Sequence, residues 1–189
     1  RRGKVGGRLR EGRALVARTR EPEPLVGRRD KPANAYNYRQ PARNAVMFGP
    51  PGHAYVYMIY GMHHCLNFVT EPEGEPSAVL LRGLEPVYGL DEMARLRFGK
   101  TWDALTRTQR RNITNGPGKC CRALAIDRAL NTADLAGEEL FVCTSPADAG
   151  LPEVTPPHYT MHTGKRIGID YAEEAADFPW RFWLEREDG

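Results

Sequence analysis

The chain has 189 residues, a formal charge of +3, and a composition of 41% hydrophobic and 27% charged residues. This composition is typical of a folded globular protein and excludes global disorder. No apolar run approaches the roughly 20 residues that cross a membrane. A chain of this length buries a continuous core without disulfides, so we expect one domain over residues 1–189 and a monomer. Because the chain starts with an arginine, its N-terminus is expected to be incomplete.

The four cysteines show no C-x-x-C spacing, and adjacent Cys120 and Cys121 cannot readily join distant segments. They are expected to be free thiols in a reducing compartment, which predicts a cytoplasmic protein (bacterial nucleoid) or, in a eukaryote, a nuclear one. His63 and His64 point to opposite faces of a strand, and no second ligand pair recurs at zinc-like spacing. Neither a metal nor a cofactor is expected.

Positive charge is concentrated in two parts of the chain. The first twenty residues hold eight basic residues against one acid, and residues 107–122 hold a second cluster of Arg107, Arg110, Arg111, Lys119 and Arg122. Such clusters suit a polyanion such as DNA, although solvated basic faces are commoner than binding patches. An RNA-binding domain would use the same surfaces.

The first predicted strand covers residues 12–19 and leads into Glu21-Pro22-Glu23-Pro24, which the two prolines keep extended. Glu21 and Glu23 are expected to point to opposite sides, so that at most one carboxylate faces a given pocket. Taken alone, both residues suit solvated loop acids. Residues 28–42 have no periodicity and are predicted to be a loop.

A hairpin is predicted next, with strands at residues 54–59 and 65–69 and a turn at Tyr60-Gly61. Tyr55 and Tyr57 fall on one face of its first strand. Two interpretations of the aromatic residue at the turn stay open. Tyr60 is either a lid folded back on the core or a wedge that inserts between stacked bases.

Residues 78–82 are predicted to form a buried strand. Arg82 at its end forms either an ion pair at the core edge, with an acid such as Glu85, or a buried cationic contact. Asp91 is a credible N-cap for a helix that Gly99 ends.

A second helix is predicted from a cap at Thr101 to about residue 113, and a third at residues 120–126. Before the third helix, Gly116-Pro117-Gly118-Lys119 lacks the spacing of a nucleotide-binding loop. Its backbone N–H groups and Lys119 suit one DNA phosphate. Later strands are predicted at residues 140–143, 165–170 and 180–184, with a long surface connection at residues 145–162.

Short blocks stand out in order along the chain. They are Arg43-Asn44-Ala45-Val46-Met47-Phe48, Tyr55-Val56-Tyr57, Tyr60-Gly61-Met62, Asn67, Val79-Leu80-Leu81-Arg82-Gly83-Leu84-Glu85-Pro86, Gly116-Pro117-Gly118-Lys119, Ala123-Leu124-Ala125-Ile126, Arg166-Ile167-Gly168-Ile169 and Trp180-Arg181-Phe182-Trp183. This series resembles the alkyladenine DNA glycosylase family, also called methylpurine-DNA glycosylases. The resemblance covers most of the chain. It implies an α+β fold, a single domain with a curved, mainly antiparallel β-sheet, a protruding β-hairpin and flanking helices.

The resemblance also implies a function. The chain is expected to flip alkylated purines out of duplex DNA and to hydrolyse the N-glycosidic bond, leaving an abasic site. Glu23 would activate the water and Arg82 would help to order it. The remaining expected roles are base binding by Tyr57, Asn67, Tyr55, Leu25 and Asn34, intercalation by Tyr60 and Met62, and backbone contacts by Lys119, Gly118 and Arg43.

Two positions depart from the family pattern. The family usually has a tyrosine where this chain has Leu25 and a histidine near Asn34. Losing one aromatic wall and one imidazole is expected to weaken base capture. The alternative function is therefore a catalytically weakened relative that binds damaged DNA without excising the base.

Overall fold

The computed structural model describes residues 4–26, 42–167 and 177–187, without the side chains of residues 42 and 43. Its strands are β1 (Val5–Arg10), β2 (Arg13–Val26), β3 (Ala54–Ile59), β4 (His63–Val69), β5 (Ser77–Tyr88), β6 (Leu140–Cys143), β7 (Tyr159–Gly164) and β8 (Arg181–Arg186). Strands β1 to β6 form a curled antiparallel sheet in the order β3-β4-β5-β2-β1-β6, and β7 pairs with β8. The described helices are α1 (Leu90–Phe98), α2 (Arg107–Arg111) and α3 (Pro117–Ala123), with 3₁₀ segments at Ala42–Phe48, Arg128–Leu130 and Pro146–Ala149. The predicted α+β fold class is confirmed.

The protruding hairpin has the predicted first strand, and its returning strand β4 starts two residues earlier than expected. The β3 and β4 strands pair in register from Ala54 opposite Phe68 to Ile59 opposite His63. This leaves only three residues for the turn, so Tyr60 stands at its tip.

Strand β2 includes residues 21–24, although the two prolines there were expected to place this segment after the strand. It pairs with β1 only as far as Arg18, whereas its pairing with β5 continues to Val26. Pro22 and Pro24 therefore lie where one edge of β2 has no strand partner, which is where a residue without an N–H is tolerated. Strand β1 itself was not predicted, because Gly6 and Gly7 weaken its strand pattern.

Both predicted helix N-caps were wrong, whereas Gly99 ends α1 as predicted. Helix α1 starts from Gly89, and the Asp91 carboxylate instead accepts a hydrogen bond from the Trp102 backbone N–H at 2.7 Å. Helix α2 starts from Thr106, whose side chain forms a capping box with Gln109, and it has only five residues. Within the described residues, no helix is long and apolar enough to span a membrane.

Helix α3 starts at Pro117, three residues before its predicted start, because proline is favoured in the first turn of a helix. Near the C-terminus, β7 ends at Gly164, so residues 165–167 of the predicted strand 165–170 are not in a strand, and residues 168–170 lie outside the described residues. The predicted surface connection 145–162 is correspondingly shorter. Strands β6 and β8 lie close to their predicted positions.

The two faces of the large sheet carry different layers. A large apolar cluster joins one face to the helices, with Leu15, Val56 and Leu84 of the sheet packed among Met93 and Cys120 of the helices. The other face carries a smaller cluster without any residue of these helices, consisting of Leu25, Met47, Tyr55, Cys65, Val69, Ala78 and Leu80. This second face is the one that holds the polar residues singled out in the sequence.

Gly89, at the start of α1, has a φ of +78°, and a Cβ there would lie 2.6 Å from the Ala14 carbonyl oxygen. We expect Gly89→Ala to lower the free energy of unfolding by roughly 2 to 5 kcal/mol, since it adds a clash to a left-handed conformation. Gly99, at the other end of α1, has a φ of +68° but open space around it, so Gly99→Ala should cost only about 1 to 2 kcal/mol. Urea unfolding of both variants would test this, and equal losses would contradict it.

Candidate active site

The strand register aligns four side chains across one face of the sheet. Tyr55 lies opposite Asn67, Asn67 opposite Leu80, and Leu80 opposite Glu23. Directly opposed residues of neighbouring strands project from the same face. All four are buried, so β3, β4, β5 and β2 each contribute one side chain to a continuous buried row.

A second row lies beside the first, nearer the hairpin tip. Tyr57 is paired with Cys65, and Arg82 follows Leu80 by two residues on β5. The Arg82 guanidinium forms two ion pairs, from Nη1 to Glu23 Oε2 at 3.0 Å and from Nε to Glu21 Oε1 at 3.6 Å. The two rows therefore meet at a charged cluster on β2 and β5.

This cluster corrects two expectations. Glu21 and Glu23 do not point to opposite sides, since both carboxylates reach Arg82. Glu85 is not the partner of Arg82. It pairs instead with buried Arg18 at 3.2 Å.

Glu23 is not a solvated loop acid, because only 2% of its surface is exposed. A buried carboxylate is stable only when cations and hydrogen-bond donors surround it. Arg82 supplies one cation, and Arg166 supplies another, with its Nε 4.0 Å from Glu23 Oε1. Such an arrangement holds the Glu23 carboxylate in a fixed position, away from bulk water.

Tyr57 is half-buried beside this cluster. Burial raises the pKa of its hydroxyl above the usual value, and nearby Cys65, Tyr55 and Glu23 raise it further. The Tyr57 ring lies 5.1 Å from the Tyr55 ring, at an angle of 34°. Tyr57 therefore stays neutral and presents an aromatic surface next to the Glu23 carboxylate.

Asn67 is fully buried, and its Nδ2 donates a hydrogen bond to the Tyr55 carbonyl at 3.0 Å. Within the described residues, its Oδ1 has no hydrogen-bond partner. A buried amide oxygen without a partner is unusual and costly. The Nδ2 of Asn67 thus stabilises the fold, whereas its Oδ1 lies in the site without a hydrogen-bond partner among the described residues.

Leu25 lies two residues beyond Glu23 on the same face and packs in the apolar cluster with Tyr55 and Met47. It is 7% exposed. Asn34 lies outside the described residues, as does the side chain of Arg43. Of the base-binding residues expected from the sequence, the structure thus brings together Tyr55, Tyr57, Asn67 and Leu25.

The hairpin tip is apolar and exposed. Tyr60 is 85% exposed and Met62 is 71% exposed, which makes the lid interpretation wrong. Tyr60 also has a φ of +53°, a left-handed conformation that a bulky residue rarely adopts. Met58, 46% exposed, adds a third apolar side chain that the sequence analysis had not selected.

Helix α3 begins next to the tip end of this hairpin, beside His63. A Cβ at Gly118 would lie 3.1 Å from His63 Cβ, so the glycine permits close packing of the helix against β4. Lys119 Nζ donates hydrogen bonds to the Asn115 side chain at 2.8 Å and the Asn112 side chain at 3.3 Å. Both acceptors are neutral amides, so within the described part of the chain the positive charge of Lys119 is not compensated by an acid.

The two basic clusters have different roles in the structure. In the N-terminal cluster, Arg8 pairs with Glu139, Arg13 with Glu92 and Arg18 with Glu85. These pairs compensate much of its charge. In the second cluster, Arg107, Arg111 and Arg122 are exposed. A groove of about 570 Å³ links the clusters beside the hairpin, lined by Arg8, Arg10, Met62, His63, His64 and Arg122 among others.

Sequence reasoning missed several members of the site. The sequence patterns did not select Cys65, Arg166, Arg181 or the paired role of Glu21. Arg166 and Arg181 nevertheless lie in blocks that carried the family resemblance. Their ion pairs span 143 and 160 positions of the chain, from Glu23 to Arg166 and from Glu21 to Arg181. No local pattern reports a contact of that separation.

Comparison with known proteins identifies related sequences. A family model described as methylpurine-DNA glycosylase matches residues 4–188. Relatives from Alkaliphilus oremlandii, Desulfitobacterium hafniense and Bacillus cytotoxicus, each named "Putative 3-methyladenine DNA glycosylase", are 49%, 47% and 47% identical over 152 residues. Those residues make up 80% of this chain and 71%, 70% and 72% of the relatives.

The exposure of Tyr60 and its left-handed backbone predict how substitutions there change the free energy of unfolding. Tyr60→Ala should change the free energy of unfolding by less than about 0.5 kcal/mol, because the ring packs on little. Tyr60→Gly should be more stable than Tyr60→Ala by about 1 kcal/mol, since glycine removes the left-handed strain. Tyr55→Ala, at a fully buried ring, should cost about 3 to 5 kcal/mol. A large loss at Tyr60, measured by urea unfolding, would restore the lid interpretation.

Proposed function

Because the chain belongs to the methylpurine-DNA glycosylase family, we propose that it is a monofunctional DNA glycosylase of base-excision repair. It flips an alkylated purine out of duplex DNA, hydrolyses the N-glycosidic bond with water activated by Glu23, and leaves an abasic site. The observation that carries this proposal is the buried Glu23 carboxylate, fixed by Arg82 on the same face of the sheet as Tyr57 and Asn67.

Glu23 acts in two ways as the glycosidic bond breaks. The carboxylate takes a proton from the attacking water, and its negative charge stabilises the positive charge that develops on the sugar. Both tasks need an ionised, immobile carboxylate. The ion pair with Arg82 at 3.0 Å favours the ionised form and limits the rotation of Glu23. Arg82 also orders the water.

The base is held by the side chains of the two rows. Tyr57 stacks on the flipped purine and Tyr55 supports its ring from behind, at 5.1 Å between the ring centroids. Stacking on an aromatic ring contributes roughly 1–3 kcal/mol per base. Asn67, held by its bond to the Tyr55 carbonyl, screens the edge of the purine. Leu25 provides an aliphatic wall, and Asn34 is proposed to complete the pocket.

Flipping uses the exposed hairpin tip. Tyr60 and Met62 enter the duplex and fill the space that the base leaves. Lys119 and the backbone at Gly118 hold a phosphate beside the hairpin, and Arg43 contacts the DNA backbone. The local strain at Tyr60 supports this role, since strain persists where function requires a particular side chain.

The reaction stops at the abasic site. The residues proposed for catalysis and base binding include no lysine that could form a Schiff base with the sugar. The incoming nucleophile is therefore water, and the DNA strand is not cut by this protein.

Glu23→Gln is the central test of the proposal. Single-turnover excision of 7-methylguanine from a duplex should fall by about 10²- to 10⁴-fold, because the amide keeps the shape of Glu23 but removes the base. Binding of the duplex, measured by fluorescence anisotropy, should be retained. Glu85→Gln is the matched control, since Glu85 also pairs with an arginine but lies outside the site.

Two results would contradict the assignment. Full activity of Glu23→Gln would move the catalytic role elsewhere, first to Glu21. If the unaltered protein binds lesion duplexes but excises none of 3-methyladenine, 7-methylguanine, hypoxanthine and ethenoadenine, it is the binding protein named as the alternative.

Leu25 predicts the order of substrates. With one stacking face aliphatic, base capture weakens by about 5- to 150-fold, which corresponds to roughly 1–3 kcal/mol. Cationic 7-methylguanine tolerates this loss because its glycosidic bond is labile, whereas neutral ethenoadenine does not. We expect 7-methylguanine to be excised faster than ethenoadenine. Leu25→Tyr should raise the single-turnover rate for ethenoadenine more than the rate for 7-methylguanine. Leu25→Ile, which adds no ring, is the control. Equal gains on both lesions would show that Leu25 does not face the base.

A further inference from the structure

Glu23 belongs to a chain of alternating charges that extends beyond the two residues considered so far. Arg181 Nε lies 2.6 Å from Glu21 Oε1, and that same oxygen lies 3.6 Å from Arg82 Nε. Arg82 then contacts Glu23, and Glu23 contacts Arg166. The order is therefore positive, negative, positive, negative, positive, and both terminal cations come from the C-terminal part of the chain.

The two carboxylate oxygens of Glu23 face different cations. Oε2 accepts from Arg82 Nη1 at 3.0 Å, whereas Oε1 lies 4.0 Å from Arg166 Nε. The side chain of Arg166 is fully buried. Its Nη1 donates to the Pro24 carbonyl at 3.3 Å, and its guanidinium lies over the Trp180 ring, 5.6 Å from the centroid. Arg166 is thus held by β2 itself, one residue from Glu23.

Arg82 forms ion pairs with two acids at once. Because Arg82 contacts both Glu21 and Glu23, its single positive charge is shared between the two carboxylates. Arg181 compensates Glu21 from the other side, and Arg166 compensates Glu23. Removing a cation from beside a carboxylate with 2% exposure favours the protonated form of that carboxylate.

We infer that Arg166 is a positioning residue that keeps Glu23 ionised and fixes its Oε1 for the reaction. It acts through Glu23 and does not contact the substrate. This inference rests on the proposed function, in which Glu23 must be ionised to accept a proton from water. It assigns a role to a residue that had no role in the proposed mechanism.

Two of the described groups near Glu23, Tyr57 and Cys65, do not replace Arg166. Tyr57 on β3 is neutral, since its pKa is raised by burial and by Cys65, Tyr55 and Glu23. Cys65 on β4 is also neutral, since burial raises the pKa of its thiol. Among the described groups around Glu23, positive charge therefore comes from Arg82 on β5 and Arg166 after β7.

The C-terminal hairpin, which consists of β7 and β8, places Arg166 at this position. Strand β8 is attached to β2 by a hydrogen bond from Arg20 Nε to the Leu184 carbonyl at 3.0 Å and by the ion pair of Arg181 with Glu21. Arg166 follows β7 by two residues. The hairpin that docks on the acidic segment of β2 thus also carries the cation that faces the catalytic carboxylate.

The pH dependence of excision tests this inference. Single-turnover excision of 7-methylguanine at saturating protein should rise with pH along an acid limb as Glu23 ionises. Arg166→Gln, which keeps a polar side chain but removes the charge, should move the midpoint of this limb upward by about 1 pH unit or more, because a cation that favours the carboxylate is lost. Arg166→Lys, which restores the charge, should bring the midpoint back toward that of the parent.

Arg18→Gln is the matched control. Arg18 is equally buried and pairs with Glu85 at 3.2 Å, so its loss destabilises the fold without changing the charge at Glu23. Its acid midpoint should coincide with that of the parent. Duplex binding should be the same for Arg166→Gln and the parent, since Arg166 does not contact DNA. If Arg166→Gln fails to fold, Arg166→Met takes its place.

Two results would overturn the inference while leaving the proposed function intact. One is an acid midpoint of Arg166→Gln equal to that of an active parent. The other is an equal upward shift of the acid midpoint for Arg166→Gln and Arg166→Lys. A shift that does not depend on the charge at residue 166 would show a merely structural role. A parent that excises no lesion would overturn the proposed function first, and this inference with it.

Discussion

The antiparallel pairing of β2 with β5 is the constraint on which the candidate site depends. Its register places Glu23 opposite Leu80, and irregularities on either side of Glu21 bring that residue opposite Gly83. Both acids then reach Arg82, which lies between Leu80 and Gly83 on β5. A shift of one residue would turn Glu23 to the helix-covered face, where its charge would be buried without these cations.

The prolines beside Glu23 fit this arrangement. Pro22 and Pro24 lie where β2 has passed the end of β1, so their missing N–H groups break no pairing on that edge. A proline has a fixed φ, which stiffens the backbone that carries Glu23. A rigid strand is a better support for the proposed catalytic carboxylate than a loop. The same edge remains open to the C-terminal hairpin, which contacts β2 through Arg181 and Arg166.

The site divides its residues between stability and function. Tyr55 is fully buried and stabilises the sheet, whereas Tyr60, five residues later on the same hairpin, is exposed and strained. Both are tyrosines in a similar local sequence, and hydrophobicity does not distinguish them. The difference follows from the length of β3, since the tip lies beyond the last residue that the sheet can cover.

The sequence by itself determined much of this protein. Alternation of side chains predicted β3 with Tyr55 and Tyr57 on one face, and the dispersed blocks identified the family. Only the tertiary structure decided which charges meet. It paired Arg82 with two acids instead of Glu85, neutralised much of the N-terminal basic cluster, and brought Arg166 to Glu23. Local propensity acts over a few residues, whereas these ion pairs join positions that only the folded sheet and the C-terminal hairpin bring together.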